Sequence, residues 1–166
     1  AIEQLWRGRA WVMPCWTFAD VIAAVERGLA GYAVLPLRNE IIGEIPGVRV
    51  AIAEAGLDTV GEVRQAVRHC LLGIAGSAFD DVTAVVSHPA ALAQCRAFLT
   101  RHAAIVPREG YDTAGAARDV AARGRRHEAA IASEACVGHY GLQLLARDIG
   151  DRDDNATVFA VVRRGR

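Results

Sequence analysis

Ser87 and Gln94 stand seven residues apart, on either side of a Pro89 that suits the first turn of a helix. A helix opening there places both side chains on one face, two turns apart, with free backbone N–H groups beside the serine. A hydroxyl, a carboxamide and a helix N-terminus together can grip an anion. Composition alone favours reading the same residues as a plain N-cap followed by a surface glutamine. Farther on, Asn155-Ala-Thr157 sets an amide beside a hydroxyl, yet it also reads as a turn leading into a strand. Spacing leaves both choices open.

Other chemistries are easier to set aside. The five histidines, His69, His88, His102, His127 and His139, show no ligand spacing, so no metal is expected. Cys15, Cys70, Cys95 and Cys136 form no C-x-x-C pair and read as reduced, mostly buried thiols of a cytosolic protein. Neither G-x-x-x-x-G-K-[ST] nor G-x-G-x-x-G occurs, so no nucleotide cofactor is expected. No G-x-S-x-G elbow is present, and Ser87 and His88 are adjacent, an awkward placing for a nucleophile and its base. His88 is expected to help cap the helix that Pro89 starts. All 19 basic residues are arginine, which removes Schiff-base and lysine-base mechanisms.

The chain that must position these groups has 166 residues, 52% of them hydrophobic and 23% charged, enough to bury a core and too apolar for disorder. Nineteen acids balance nineteen bases, which argues against a nucleic-acid partner. No apolar run approaches the ~20 residues of a membrane span. Ala10–Ala19 carries Pro14 and no cleavage motif, so it is a poor signal peptide, and a cytoplasmic location is expected.

Strand and short helix alternate along the chain. Ala10–Met13 reads as a strand, and Thr17 caps a helix with Phe18, Val21, Ile22 and Val25 on one face, ended by Gly28. Tyr32–Leu37 is a continuous apolar run, as in a strand buried on both faces, and Arg38–Pro46 reads as a loop. Propensity favours helix for Glu62–Leu72. Val82–Val86, Ala104–Val106, Ala129–Ala132, Gln143–Leu145 and Val158–Val162 read as strands. Helices are expected from Pro89 through Leu99, from Asp112 or Thr113 to Arg123, and from Ser133 to Tyr140. This alternation predicts an α/β protein with a mostly parallel sheet, its ligands bound beyond the carboxyl ends of strands.

Ser87-His-Pro-Ala-Ala-Leu-Ala-Gln94-Cys95 resembles the S-H-P-Q-A-L-x-Q-C motif of the prephenate dehydratase family. Other pieces follow in family order. Phe18-Ala-Asp-Val, Ala24-Val-Glu-Arg-Gly28 and Tyr32-Ala-Val-Leu-Pro-Leu37 resemble its F-x-x-V, A-V-x-x-G and D-Y-x-V-V-P-I-E-N-S segments. His69-Cys-Leu-Leu72 is similar to H-x-L-L, and Thr113-Ala-Gly-Ala-Ala117 to S-T-A-x-A-A. Ala129-Ala-Ile-Ala-Ser133, Tyr140-Gly-Leu142 and Asn155-Ala-Thr-Val-Phe159 resemble A-A-I-A-S, Y-G-L and N-x-T-R-F.

The resemblance implies two small α/β lobes, like a type II periplasmic binding protein, with the site in a cleft between them and residues 1–166 as one catalytic domain. It also implies that Arg68–Leu72 is strand. The family's opening G-P-x-G-T-F-S segment has no counterpart, so the first strand is expected to be missing. An upstream segment or a partner chain should then cover the exposed edge, and a homodimer is expected. No stretch resembles the family's phenylalanine-binding ACT domain, so feedback through one is not expected.

The activity implied is cofactor-free loss of CO2 and water from prephenate to give phenylpyruvate, in phenylalanine biosynthesis. Thr157 matches the threonine that hydrogen-bonds the leaving hydroxyl. Asn39, Ser87, Gln94 and Thr113 match substrate-binding positions of the carboxylate substrate, and Phe159 packs beneath them. The sequence departs from the pattern where the family's Glu of E-N-S is Arg38, its Ser is Glu40, and its Arg of T-R-F is Val158. Arg38 either takes over the missing guanidinium's hold on a carboxylate or pairs with Glu40 in solvent. Two alternatives accompany this reading: a specialised-metabolism homologue acting on prephenate without aromatisation or on a related ring acid, and a non-catalytic small-acid binder.

Overall fold

The computed structural model describes Ala1–Gly165, the Glu3 side chain apart. It begins with helices α1 (Ile2–Trp6) and α2 (Phe18–Glu26), a hairpin of β1 (Ala33–Asn39) and β2 (Gly43–Glu44), helix α3 (Val48–Glu54) and strand β3 (Leu57–Ala66). Next come β4 (Cys70–Ile74), β5 (Ala84–Ser87), helices α4 (Pro89–Ala93) and α5 (Arg96–Arg101), and β6 (Val106–Glu109). Helix α6 (Thr113–Arg123), β7 (Glu128–Ala132), α7 (Ala135–Tyr140), β8 (Leu142–Ala146) and β9 (Ala156–Arg164) complete it. The chain divides into two units, Ala1–Ala66 with Asp154–Arg166, and Val67–Asp153.

The first unit is built on an antiparallel sheet in the order β2-β1-β9-β3. Ala33, Leu35 and Leu37 of β1 and Ala160 and Val162 of β9 face Ile22 and Val25 of α2 and Val48 and Ile52 of α3. Each fully buried Leu or Val there contributes about 1.5–3 kcal/mol of burial. Helix α2 starts where expected: Thr17 Oγ1 accepts the Asp20 N–H at 3.1 Å, and the Asp20 carboxylate accepts the Thr17 N–H in return. Gly28, at φ +70°, follows its end in the left-handed conformation that glycine tolerates best.

The second unit holds a mixed sheet in the order β6-β5-β7-β4-β8, parallel from β6 to β7 and antiparallel beyond. Helices α6 and α7 cover one face, and α4 and α5 the other. Central strand β7 is buried on both faces: Ala130 and Ala132 join the first cluster, and Ala129 and Ile131 the second.

Several expectations fail for identifiable reasons. Among the described residues five of the seven strand pairings are antiparallel, because β9 returns to the first unit, β4 runs against β7, and β8 runs against β4. Glu62–Ala66 is strand, since pairing of β3 with β9 outweighs the helix propensity of Glu62, Arg64 and Gln65; strand β4 then begins at Cys70, within the Arg68–Leu72 stretch that the resemblance implied. Ala10–Met13 is irregular, with Trp11 and Val12 exposed and no strand beside it among the described residues. Strand β1 buries alternate residues rather than both faces, and it runs on into Arg38 and Asn39. The helix expected through Leu99 breaks at Gln94, whose carbonyl accepts Asp151 N–H at 2.6 Å, while the Asp151 carboxylate accepts Ala97 N–H at 2.9 Å and caps α5. Loop 149–151 thus competes with the helix for its own backbone.

One charge lies deep. The Glu128 side chain, 2% exposed, opens β7 and meets Arg108, Arg123 and Arg125 at 3.5, 3.5 and 3.2 Å. Burial raises its pKa, but hydrogen bonding and attraction from Arg125, with help from Arg123, carry it below the usual carboxylate value. A depressed folded pKa gives stability that is full above the unfolded pKa and lost as pH falls through the folded one. Glu128→Gln is therefore expected to lose about 1–3 kcal/mol at neutral pH. Urea melts from pH 7 down to 3 should show the gap to wild type closing in acid; a constant gap would contradict the assignment.

Candidate active site

On the first unit, Pro36 lies where the β1–β9 register shifts, a place that tolerates its missing N–H. The bulge re-aims the strand's end, so that Arg38 pairs across the sheet with Val158 and Asn39 with Thr157. Buried Asn39 is fully engaged. Its Oδ1 accepts the Ile41 and Ile42 N–H groups at 3.0 and 3.1 Å, which fixes the orientation of the carboxamide. Its Nδ2 donates to Asn155 Oδ1 at 2.9 Å, Thr157 Oγ1 at 3.0 Å and the Ala156 carbonyl at 3.2 Å. Thr157 Oγ1 thus receives a hydrogen bond, which leaves its own O–H as a donor to something else. Phe159, two residues along β9 and hence on the same face, is half-buried opposite Pro36 and Val63.

The charges around Val158 are rearranged. Glu40 is engaged by Arg64 rather than by Arg38, through a bidentate pair with Nε to Oε1 at 2.9 Å and Nη2 to Oε2 at 2.7 Å. Arg64, chiefly by that hydrogen bond, holds the Glu40 carboxyl below its ordinary pKa, and the more distant charge of Arg38 adds to the effect. Arg38 is exposed and makes no ion pair within 4 Å among the described residues. Arg64 also faces Val158 from β3, so this buried valine lies between two arginines in register. Sequence reading missed Arg64 because it took that stretch for helix.

On the second unit, Ser87 is the last residue of β5, fully buried, and not a helix cap. Its hydroxyl donates to the Ile131 carbonyl at 2.6 Å, and its own carbonyl accepts Gly110 N–H at 2.8 Å. It therefore ties β5 to β7 and to the loop before α6. The N-cap of α4 is His88, whose Nδ1 accepts Ala90 N–H at 3.1 Å, and α4 is only five residues long. Thr113 is the first residue of α6, half-buried, behind an Asp112 cap that accepts Gly115 N–H at 2.7 Å. Gln94 Oε1 lies 2.7 Å from Nε2 of buried His69, a partner 25 residues away. The only sequence sign of this contact was His69 opening the H-C-L-L piece.

The expected residues thus form two groups: Arg38, Asn39, Thr157 and Phe159 on the first unit, and Ser87, Gln94 and Thr113 on the second. Among the described residues no three His, Cys, Asp or Glu gather where a metal could be held. Among the described residues no helix is long and apolar enough to cross a membrane. Burial pushes the Cys95 thiol up to about 12 and raises Cys70 and Cys136, so none of the three offers a ready thiolate.

The chain is a two-sheet α/β protein that carries hydroxyl and carboxamide groups on each of its two units. The chain belongs to the prephenate dehydratase family, which it matches over residues 1–166. It is 41% identical over 152 residues to the bifunctional N-acyl-homoserine lactone acylase/prephenate dehydratase of Komagataeibacter europaeus, covering 92% of this chain and 54% of that protein. It is 43% identical over 152 residues to arogenate dehydratase/prephenate dehydratase 2 of Arabidopsis thaliana, a chloroplastic protein, covering 92% and 40%. A solved structure described as GqqA, a novel type of quorum-quenching acylase, superposes with a TM-score of 0.89 at 39% identity, over 99% of this chain and 59% of that one. The chain spans roughly half the length of these relatives, or less.

Proposed function

We propose that the protein catalyses the decarboxylative dehydration of prephenate, or of its amine counterpart arogenate, in the formation of phenylalanine. The observation that carries this reading is the Asn39–Thr157 hydrogen bond, which turns a threonine hydroxyl into an aimed donor. In the reaction the ring carboxylate leaves as CO2 and passes its electron pair into the ring. The C–O bond opposite breaks, and the hydroxide departs with a proton as water. Thr157 donates to that departing oxygen, where negative charge grows in the transition state. Gln94 and Thr113 contact the acid's polar groups, Arg38 holds a carboxylate, and Ser87 keeps the loop before Thr113 in place. Aromatisation supplies the driving force, so orientation and one well-placed donor are the enzyme's main contributions.

Incubation with prephenate and with arogenate, followed by identification of products, tests this proposal. Phenylpyruvate or phenylalanine formed with release of CO2 is the expected result. A decarboxylated but non-aromatic product would replace the proposal with the specialised-metabolism reading. Tight binding of either acid without turnover would replace it with the binding-protein reading.

A further inference from the structure

We infer that His69 is a positioning residue for Gln94: its Nε2–H selects the oxygen end of the Gln94 carboxamide and so aims the N–H end away from itself, toward the substrate. The inference rests on the proposed dehydratase reading, in which Gln94 contacts substrate. A glutamine carboxamide has two ends of nearly equal size and opposite hydrogen-bonding character, carried on three rotatable bonds. Nothing in its own shape determines which end faces where. Here the imidazole of His69 meets the oxygen end. The Gln94 Oε1 oxygen can only accept, so the imidazole nitrogen 2.7 Å away must be the one that carries hydrogen.

The surroundings hold both partners still. His69 is buried, and its backbone carbonyl accepts the Ile149 N–H at 2.9 Å. A Cβ on Gly150 would stand 3.6 Å from Cδ2 of the imidazole, so the ring lies against a residue without a side chain. Loop 149–151 reaches Gln94 as well, through Asp151 N–H to the Gln94 carbonyl, and the Asp151 carboxylate secures the start of α5. One loop therefore fixes the imidazole and the backbone of the glutamine that the imidazole orients. A histidine held this firmly, with one nitrogen committed to a candidate ligand-binding side chain, does more than fill space.

The test uses His69→Phe, His69→Gln, Gln94→Leu and the His69→Phe/Gln94→Leu double variant, assayed on whichever acid the wild type converts. His69→Phe keeps the bulk and removes the donor, and should lower kcat/KM about ten- to a hundredfold. His69→Gln restores an N–H at similar reach and should recover most of that loss. The double variant should be no worse than Gln94→Leu alone, because a group that acts through Gln94 has nothing left to do once Gln94 is gone. A merely structural role would instead lower Tm and multiply with the Gln94→Leu defect. Unchanged activity in His69→Phe, or losses that multiply, overturns the inference.

Imidazole nitrogen NMR gives a readout independent of turnover. A wild-type ring held as the Nε2–H tautomer, and released to a mixture in Gln94→Leu, supports the pair. A wild-type ring already mixed overturns it. Wild-type protein inactive on both acids would defeat the dehydratase reading, and the tautomer signal would then decide the His69–Gln94 pair alone.

Discussion

Thr157→Val is expected to lower kcat on prephenate or arogenate by roughly ten- to a thousandfold, with KM changed much less. Valine keeps the branched shape on β9 and removes only the hydroxyl, so β9 should retain its register and the sheet its stability. The Asn39 Nδ2 loses one acceptor but keeps Asn155 Oδ1 and the Ala156 carbonyl. A large fall in kcat alongside a nearly unchanged Tm would identify Thr157 as a donor that strengthens in the transition state. Thr157→Ser, which keeps the hydroxyl and loses a methyl, should retain far more activity. Near-wild-type turnover by the valine variant would remove Thr157 from the mechanism.

Arg38→Ala should raise KM by roughly ten- to a hundredfold, the loss expected when a charge-assisted hydrogen bond to a carboxylate is removed. The structure weighs on this because Glu40, the other group that could have occupied Arg38, is held by Arg64. Val158→Arg restores the residue found in the T-R-F pattern, yet it should not help. The new guanidinium would start from a buried position, with Arg38 and Arg64 in register on either side. Burial and like charge both oppose it, so the variant should melt lower and turn over more slowly. Improved prephenate turnover in Val158→Arg, with Arg38→Ala silent, would show that no arginine grips the substrate here and would point to a different ring acid.

The parts legible in the sequence were those that local chemistry decides. Thr17 with Asp20, Asp112 before α6, and the small apolar run of β7 carry their own signals. Strand β3 carries none: among Glu62–Ala66 only Val63 is buried, and what makes it a strand is a partner about a hundred residues away, running from Leu57 opposite Arg164 to Ala66 opposite Ala156. The site divides in the same way. Family motifs indicated Asn39 and Thr157, but the bulge that brings them together depends on how β1 meets β9, and only Pro36 hints at it. Ser87 was expected at a helix start because Pro89 follows, while the structure ends a strand there and gives the cap to His88. His69 and Gln94 lie on different segments, so their contact arises only in the folded second unit.

Strand β9, which carries Thr157, lies between β1 and β3, inside a sheet whose other strands all precede the second unit in the chain. The second unit, Val67–Asp153, is continuous and can mature before the stretch that carries β9 is translated. The first unit cannot close until that stretch is released, because β1 and β3 have only β9 to join them. During synthesis β1 and β3 therefore wait as two open edges, the period when they are most exposed to wrong pairing. The same event that ends this exposure brings Thr157 to Asn39. Thus a nascent chain acquires its proposed acid-side donor only as it becomes safe from misassembly.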